Sequence, residues 1–401
     1  MAGGTWLGLA YGWAMRLAAP ERIQIAIVCG LAFTGLTSRR ALAEEGAAAD
    51  RESSAMTPEP EATALTSDSP VEHARPLAIA AALIPGVLVH GAGHYVVGER
   101  RTARRLLLLE GVGLGAAATG GLTVALSGAS RWLSGPAIMV GALGIGIFGL
   151  GWLADIYGAA GGARRGARAR TFTPPVLLHA GYGWVRDPEF DYQSFALAGG
   201  AVAWPGWRAA LSGWVAVDDD NQRVRLEAAH RLAGVGSRRG GSDGSFFELS
   251  AAAGEHRYGS DAFAVDSGEL VVGGRLDLAR LGPSLGGSFV ELAGGLQVEH
   301  MRYVEVSESD FGSQLLVRLG FGLYFGDPPG PNGEVALYYD HRRDQLVGGL
   351  ALPRGSGFLG HLGVTGRIRL ARGWGAVGGV ATGSANLLHL GIVRELGEVA
   401  R

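Results

Sequence analysis

The chain has 401 residues, 47% of them hydrophobic and only 18% charged, where soluble domains carry roughly 25% charge, so wholesale disorder is excluded and the cell envelope is favoured. All 35 basic residues are arginine and the formal net charge is -2, so no global field draws the chain to nucleic acid. The 68 glycines follow no Gly-X-Y period, which excludes collagen, and Cys29 is the only cysteine, which excludes internal disulfides and cysteine-rich zinc sites.

The first segment, residues 1–43, has the order of a signal peptide. Arg16 and Arg22 precede the apolar core Ile23 to Leu36, and Ala41-Leu42-Ala43 supplies a small-residue cleavage site before Glu44. An uncleaved N-terminal anchor is the alternative, and Met15 is a second candidate start. Residues 44–75 read as a disordered acidic linker, with eight acids against Arg51 and Arg75 and with Pro58, Pro60 and Pro70 as breakers.

Residues 76–160 change character. Leu77 to Val97, Leu106 to Leu126 and Pro136 to Ala160 are each long enough to cross a hydrocarbon core as helix, which takes about 20 residues. Gly111 with Gly115, and Ala142 with Gly146, form small-x-x-x-small pairs that suit close helix packing, so bulky residues at 115 or 146 are expected to loosen the bundle. His90 and His94 lie four apart, with Glu110 on the next helix. That trio reads either as a metal or proton site or as a polar helix end at the membrane interface. The run from Gly91 to Gly98, its basic sequel and Leu106 to Glu110 resemble small Gly-rich helical-hairpin membrane domains. That resemblance implies no enzymatic role. Residues 161–174 follow as an Arg-rich connector.

Beyond this the hydrophobic period becomes two. In Gln314 to Phe325, odd-numbered Leu315, Val317, Leu319, Phe321, Leu323 and Phe325 alternate with Arg318, Gly320 and Tyr324. Twelve strands are expected, at 176–186, 190–204, 207–217, 222–234, 245–258, 268–281, 288–303, 311–325, 333–342, 356–371, 373–382 and 386–396, with ten as the alternative count. Runs of ten or more alternating residues suit tilted transmembrane strands of about 9–11 residues, and closing the sheet removes its edges. Trp184, Trp204, Trp207, Tyr303 and Trp374 are candidate interfacial aromatics. Residues 175–397 thus resemble bacterial outer-membrane β-barrels in general. The last strand lacks the terminal aromatic of the usual assembly signal.

The expected fold is an α+β membrane protein, with two or three N-terminal hydrophobic helices followed by an antiparallel β-barrel of about twelve strands. Parity points His179, Glu248, His256, Arg275, Asp277, Glu291, Gln297, Glu299, Arg318, His361, Arg367, Arg369 and His389 into the lumen. No catalytic, cofactor or metal residue set is assigned. Ser250 and His256 are too far apart along one strand to form a nucleophile–base pair. Asp218 to Asn221 reads as a solvated hairpin loop, and no nucleotide-binding lysine motif is possible without lysine.

The expected function is a non-enzymatic outer-membrane barrel acting as narrow pore, surface element or scaffold. The expected partners are the lipid bilayer and the outer-membrane assembly machinery. Apolar helices and flanking arginines favour retention at the inner membrane, so an inner-membrane hairpin with a soluble β domain is one alternative. A barrel enzyme acting on lipid or lipopolysaccharide, with His256, Glu299 and His361 examined first, is the other.

Overall fold

The computed structural model describes residues 70–128, 130–162, 174–187, 193–238, 240–241, 243–258, 263–303, 309–326, 330–342 and 360–397. The leader, most of the acidic linker and the Arg-rich connector lie outside the described residues.

Helix α1 (Pro70–Leu83) begins inside the segment read as linker. The first apolar stretch is not one spanning helix. Pro85 brings no N–H to continue α1, and the chain passes through a 3-10 turn (Pro85–Val87) into the short α2 (Ala92–Val96). Gly91, at φ +89°, makes the reversal that a side-chain-bearing residue adopts only with strain. Two long helices follow, α3 (Arg100–Leu126) and α4 (Arg131–Ala159), both long and apolar enough to cross a membrane.

Glycines set the contact between α3 and α4. A Cβ on Gly120 would lie 2.4 Å from the Ala137 carbonyl oxygen, and one on Gly144 would lie 2.4 Å from the Ala117 nitrogen. Backbones this close are the gain that small residues bring to helix pairs in lipid. The pair expected from the sequence is not the one used. Gly111 and Gly115 face open space, while Gly146 meets the barrel.

Twelve antiparallel strands close into a barrel in which each pairs with its sequence neighbours and β1 pairs with β12. They are β1 (Val176–Arg186), β2 (Ser194–Trp204), β3 (Trp207–Ala216), β4 (Gln222–Gly234), β5 (Phe246–Arg257) and β6 (Phe263–Asp277). The circuit continues with β7 (Ser288–Tyr303), β8 (Ser309–Phe325), β9 (Asn332–Asp340), β10 (His361–Ala371), β11 (Trp374–Thr382) and β12 (Asn386–Leu396). The main departure from the expected strands is β6, which starts and ends earlier. It stops at Asp277 because that side chain accepts from the Ala279 N–H and caps the 3-10 turn Leu278–Arg280.

The strand wall carries a bare apolar belt. Leu211, Leu226, Leu390 and Ile392 are each 53–60% exposed, a burden in water that a bilayer removes. Trp204, Trp207 and Trp374 stand outward at the end of the barrel where β1 starts and β12 finishes, and Trp184 stands outward at the far end. Tyr303 shares the parity of Glu299 and therefore turns inward.

Helix α4 lies along the outer face of β7 and β8. The Leu319 side chain packs where a Cβ on Gly146 would be, and Gly294 makes room for Met139 and Leu143. Leu106, Leu150 and Ala154 bury against Leu278, Leu285 and Val290, with Leu292, Leu319 and Phe321 at the margin. Leu319 and Phe321 thus point outward as their parity requires, and α4 covers them. At the terminal end Arg105 donates to the Arg280 and Leu281 carbonyls at 3.1 and 2.9 Å, and the Tyr157 hydroxyl donates to Gly286 at 3.0 Å.

The β6–β7 connection is further tied to the β4–β5 loop, where Arg280 donates to Asp243 at 2.5 and 3.1 Å. Partial burial works against the ionised Asp243, but the Arg280 guanidinium and hydrogen bonds from Ser245 outweigh it and hold the carboxyl below its usual range. A depressed carboxyl stabilises the fold above its unfolded value near 3.9, and the contribution is lost as pH falls through the lower folded value. Hydrogen exchange at residues 278–287 is therefore expected to accelerate only below about pH 4. Asp243→Asn should show the acid-state rate at neutral pH. Unchanged exchange in that variant would contradict the tie.

Candidate functional site

Two groups of polar side chains are enclosed. The smaller is inside the helical module. Asp155, on α4 and fully buried, accepts from the Gly91 and Gly93 N–H groups at 2.9 and 3.4 Å and from His94 Nδ1 at 2.7 Å. Glu110, on α3, accepts from the His90 N–H at 2.7 Å. The two acids thus hold the reversal between α1 and α3 by its backbone.

The structure places both histidines inside the helical module. His90 and His94 are 1% and 0% exposed, enclosed by the helices. Glu110 meets the His90 backbone and not its ring. No group of three or more His, Cys, Asp or Glu among the described residues is placed to hold a metal ion. Their rings fit because positions 151 and 158 lack a side chain, with a Cβ on Gly158 falling 2.2 Å from His94 Nε2. Asp155→Ala would strand buried donors, at about 1–3 kcal/mol each. The 84–99 segment is expected to become protease-sensitive in that variant while the barrel keeps its heat-modifiable gel mobility. Resistance at 84–99 would refute the clasp.

The larger group is the lumen. Strand pairing sets its rows, because directly opposed residues share a face. One row joins Arg231, Glu248, Gly273, Ala293, Arg318, Asp340 and His361 across β4 to β10. The row beside it joins Phe246, Arg275, Glu291, Gly320, Tyr338 and Gly363. Arginine–carboxylate pairs form both within and between rows. Arg208 meets Glu227 at 2.6 Å, Arg231 meets Glu248 at 3.1 Å, and Arg275 bridges Glu291 and Glu334 at 2.7 and 2.6 Å. Glu269 receives both Arg225 and, at 3.2 Å, Arg342. Arg367 pairs with Glu395 at 2.7 Å near the terminal end.

At the far end the inward residues of β1 to β3, β11 and β12 are apolar. Val185, Phe195, Leu197 and Ala216 form a buried cluster with Trp214 and Leu387 packed on it. The lumen thus has a charged flank along β4 to β10 and an apolar plug on the opposite flank. Between the charged rows lies a cavity of about 270 Å³, walled by Arg208, Arg225, Glu227, Arg318, Asp340 and Arg342 among others. Gly273 and Ala293, the small members of the Arg318 row, leave that room.

The residues assigned inward by parity do face the lumen. Glu291 is held by Arg275. His256, Glu299 and His361 sit on β5, β7 and β10 with separate neighbours. His256 stacks on Tyr258 and reaches Asn221 at 2.9 Å, Glu299 accepts from Gln297 at 2.8 Å, and His361 meets the Tyr338 ring edge-on. Sequence reasoning passed over Arg208, Arg225, Glu227, Glu269, Glu334, Asp340 and Glu395. The alternation Arg223, Arg225, Glu227 was visible in β4, but only the pairing register shows which carboxylate each arginine meets.

A closed antiparallel barrel of even strand number, with all its ladders paired and an apolar belt outside, is the fold of an outer-membrane β-barrel, and this chain has that fold. No family model and no curated protein matches the sequence. Solved structures with a similar fold include the KdgM porin, at 8% identity and a TM-score of 0.33, covering 55% of this chain and 99% of that one. The translocator domain of the autotransporter NalP from Neisseria meningitidis matches at 12% identity and a TM-score of 0.32, covering 55% of this chain and 87% of that one. The Acinetobacter baumannii outer membrane protein Omp33 matches at 7% identity and a TM-score of 0.29, covering 57% of this chain and 100% of that one.

Proposed function

We propose that the protein is a narrow, non-catalytic pore for small polar solutes, with the charged flank of the lumen as its selective constriction. The supporting observation is the cavity of about 270 Å³ set among paired arginines and carboxylates, where a purely structural filling would leave no such polar space. Side chains crossing the lumen keep any path narrow, and the apolar plug at the far end narrows it further. The lipid bilayer and the outer-membrane assembly machinery are its proposed partners. α3 and α4 brace the β7–β8 wall from outside and take no part in the path.

The test is single-channel recording of the refolded full chain in a planar bilayer. Small, discrete conductance steps are expected. Ala385→Trp, which adds bulk to the apolar plug, should reduce them. A preparation with the gel shift of a folded barrel that gives no steps would refute the pore.

A further inference from the structure

Of the eight charged side chains that wall the lumenal cavity, six are paired with an opposite charge. Arg208, Glu227, Arg225, Glu248, Glu291 and Arg342 each have a partner within 3.2 Å. Arg318 and Asp340 are the two left over, and neither makes an ion pair among the described residues. They are directly opposed across β8 and β9. The Arg318 guanidinium is turned over the Tyr338 ring, 4.8 Å from its centre, and its buried Nε has no hydrogen-bond partner. Among the described residues Asp340 accepts only the Arg342 N–H, at 2.9 Å. The aromatic ring thus draws the cation aside from the neighbouring acid.

We infer that Arg318 and Asp340 form a binding site for a small zwitterion bearing a carboxylate and an ammonium, as a free α-amino acid does. A planar guanidinium with free donors suits a carboxylate, and an unpaired carboxylate suits an ammonium. Every other charge on the wall is already neutralised, so a bare anion would gain Arg318 but face Asp340, and a bare cation would meet the reverse. Only a ligand with both charges satisfies both residues. The cavity lies just below the 300–1,000 Å³ usual for ligand pockets, which limits the solute to a few heavy atoms. The inference deepens the pore reading and depends on it for its biological use, since the site lies on the proposed path.

Binding separates the two. The refolded full chain in detergent is titrated calorimetrically with alanine, propionate and ethylammonium, which share a skeleton and differ in the charges they carry. Saturable binding of alanine is expected, at least about tenfold tighter than of either singly charged analogue. Arg318→Gln and Asp340→Asn should each weaken alanine about tenfold or more, and Asp340→Asn should bring propionate level with alanine. Propionate binding the wild-type chain as tightly as alanine would overturn the inference, as would alanine affinity unchanged in Asp340→Asn. If a variant does not fold, the wild-type comparison of the three ligands decides alone. A chain that conducts yet binds no alanine loses the site and keeps the pore; one that binds alanine without conducting loses the pore and keeps the site.

Discussion

Replacing Gly120 by leucine is expected to prise α3 from α4, whereas the same change at Gly115 should leave the pair intact. At position 120 the new side chain meets backbone, with the Ala137 oxygen at 2.4 Å and the Gly141 nitrogen at 2.6 Å from its Cβ. Backbone cannot rotate aside as a flexible side chain would. Overpacking typically costs about 1–3 kcal/mol, and an obstacle of this kind places Gly120→Leu at or above the upper end. Position 115 opens onto space, so Gly115→Leu should stay within about 0.5 kcal/mol. Thermal melts followed by helical circular dichroism in detergent would separate the variants. Equal loss in both would mean that the helices pack through the other face of α3.

Glu269→Ala is expected to be the most damaging single change in the lumen. Its carboxylate is 3% exposed and receives two guanidinium groups, Arg225 and Arg342. Removing it leaves Arg342 with no carboxylate partner among the described residues and Arg225 with only Glu227, at 3.4 Å. Breaking a buried pair typically costs 3–5 kcal/mol, and the partial exposure of both arginines, 20% each, moves the expectation to about 3 kcal/mol. Glu269→Gln keeps an acceptor and should cost less. Urea unfolding in lipid vesicles gives the comparison. A Glu269→Ala midpoint equal to wild type would show that water already screens the pair.

The strands were readable because period-two alternation is a local property, and each outward leucine is dictated by the lipid it meets. Gln314 to Phe325 displayed its two faces without any knowledge of its neighbours. What covers a face is not local. Leu319 and Phe321 carry the same signal as Leu390 and Ile392, yet α4 packs on the first two and the second two remain bare. Helix contacts were hidden for a related reason. In a segment as glycine-rich as residues 111–121, several small pairs are equally plausible, and only the placement of α4 selects Gly113 and Gly120. The first apolar stretch misled because hydropathy averaged over Leu77 to Val97 conceals Pro85 and the reversal at Gly91. The lumenal site was half legible. Parity put Arg318 inside, but its lack of an ion pair among the described residues follows from where the other lumenal arginines find theirs.

The wall of the closed barrel faces lipid on its free side and α4 over β7 and β8. Single cysteines at 319, 389, 390 and 392, in a chain with Cys29 replaced by serine, can carry a fluorophore in vesicles containing a lipid-borne quencher. Labels at 390 and 392 should be strongly quenched, the label at 389 should be protected because it faces the lumen, and the label at 319 should be quenched far less than 392 because α4 covers it. Equal quenching at 389 and 390 would contradict the barrel, and full quenching at 319 would contradict the placement of α4.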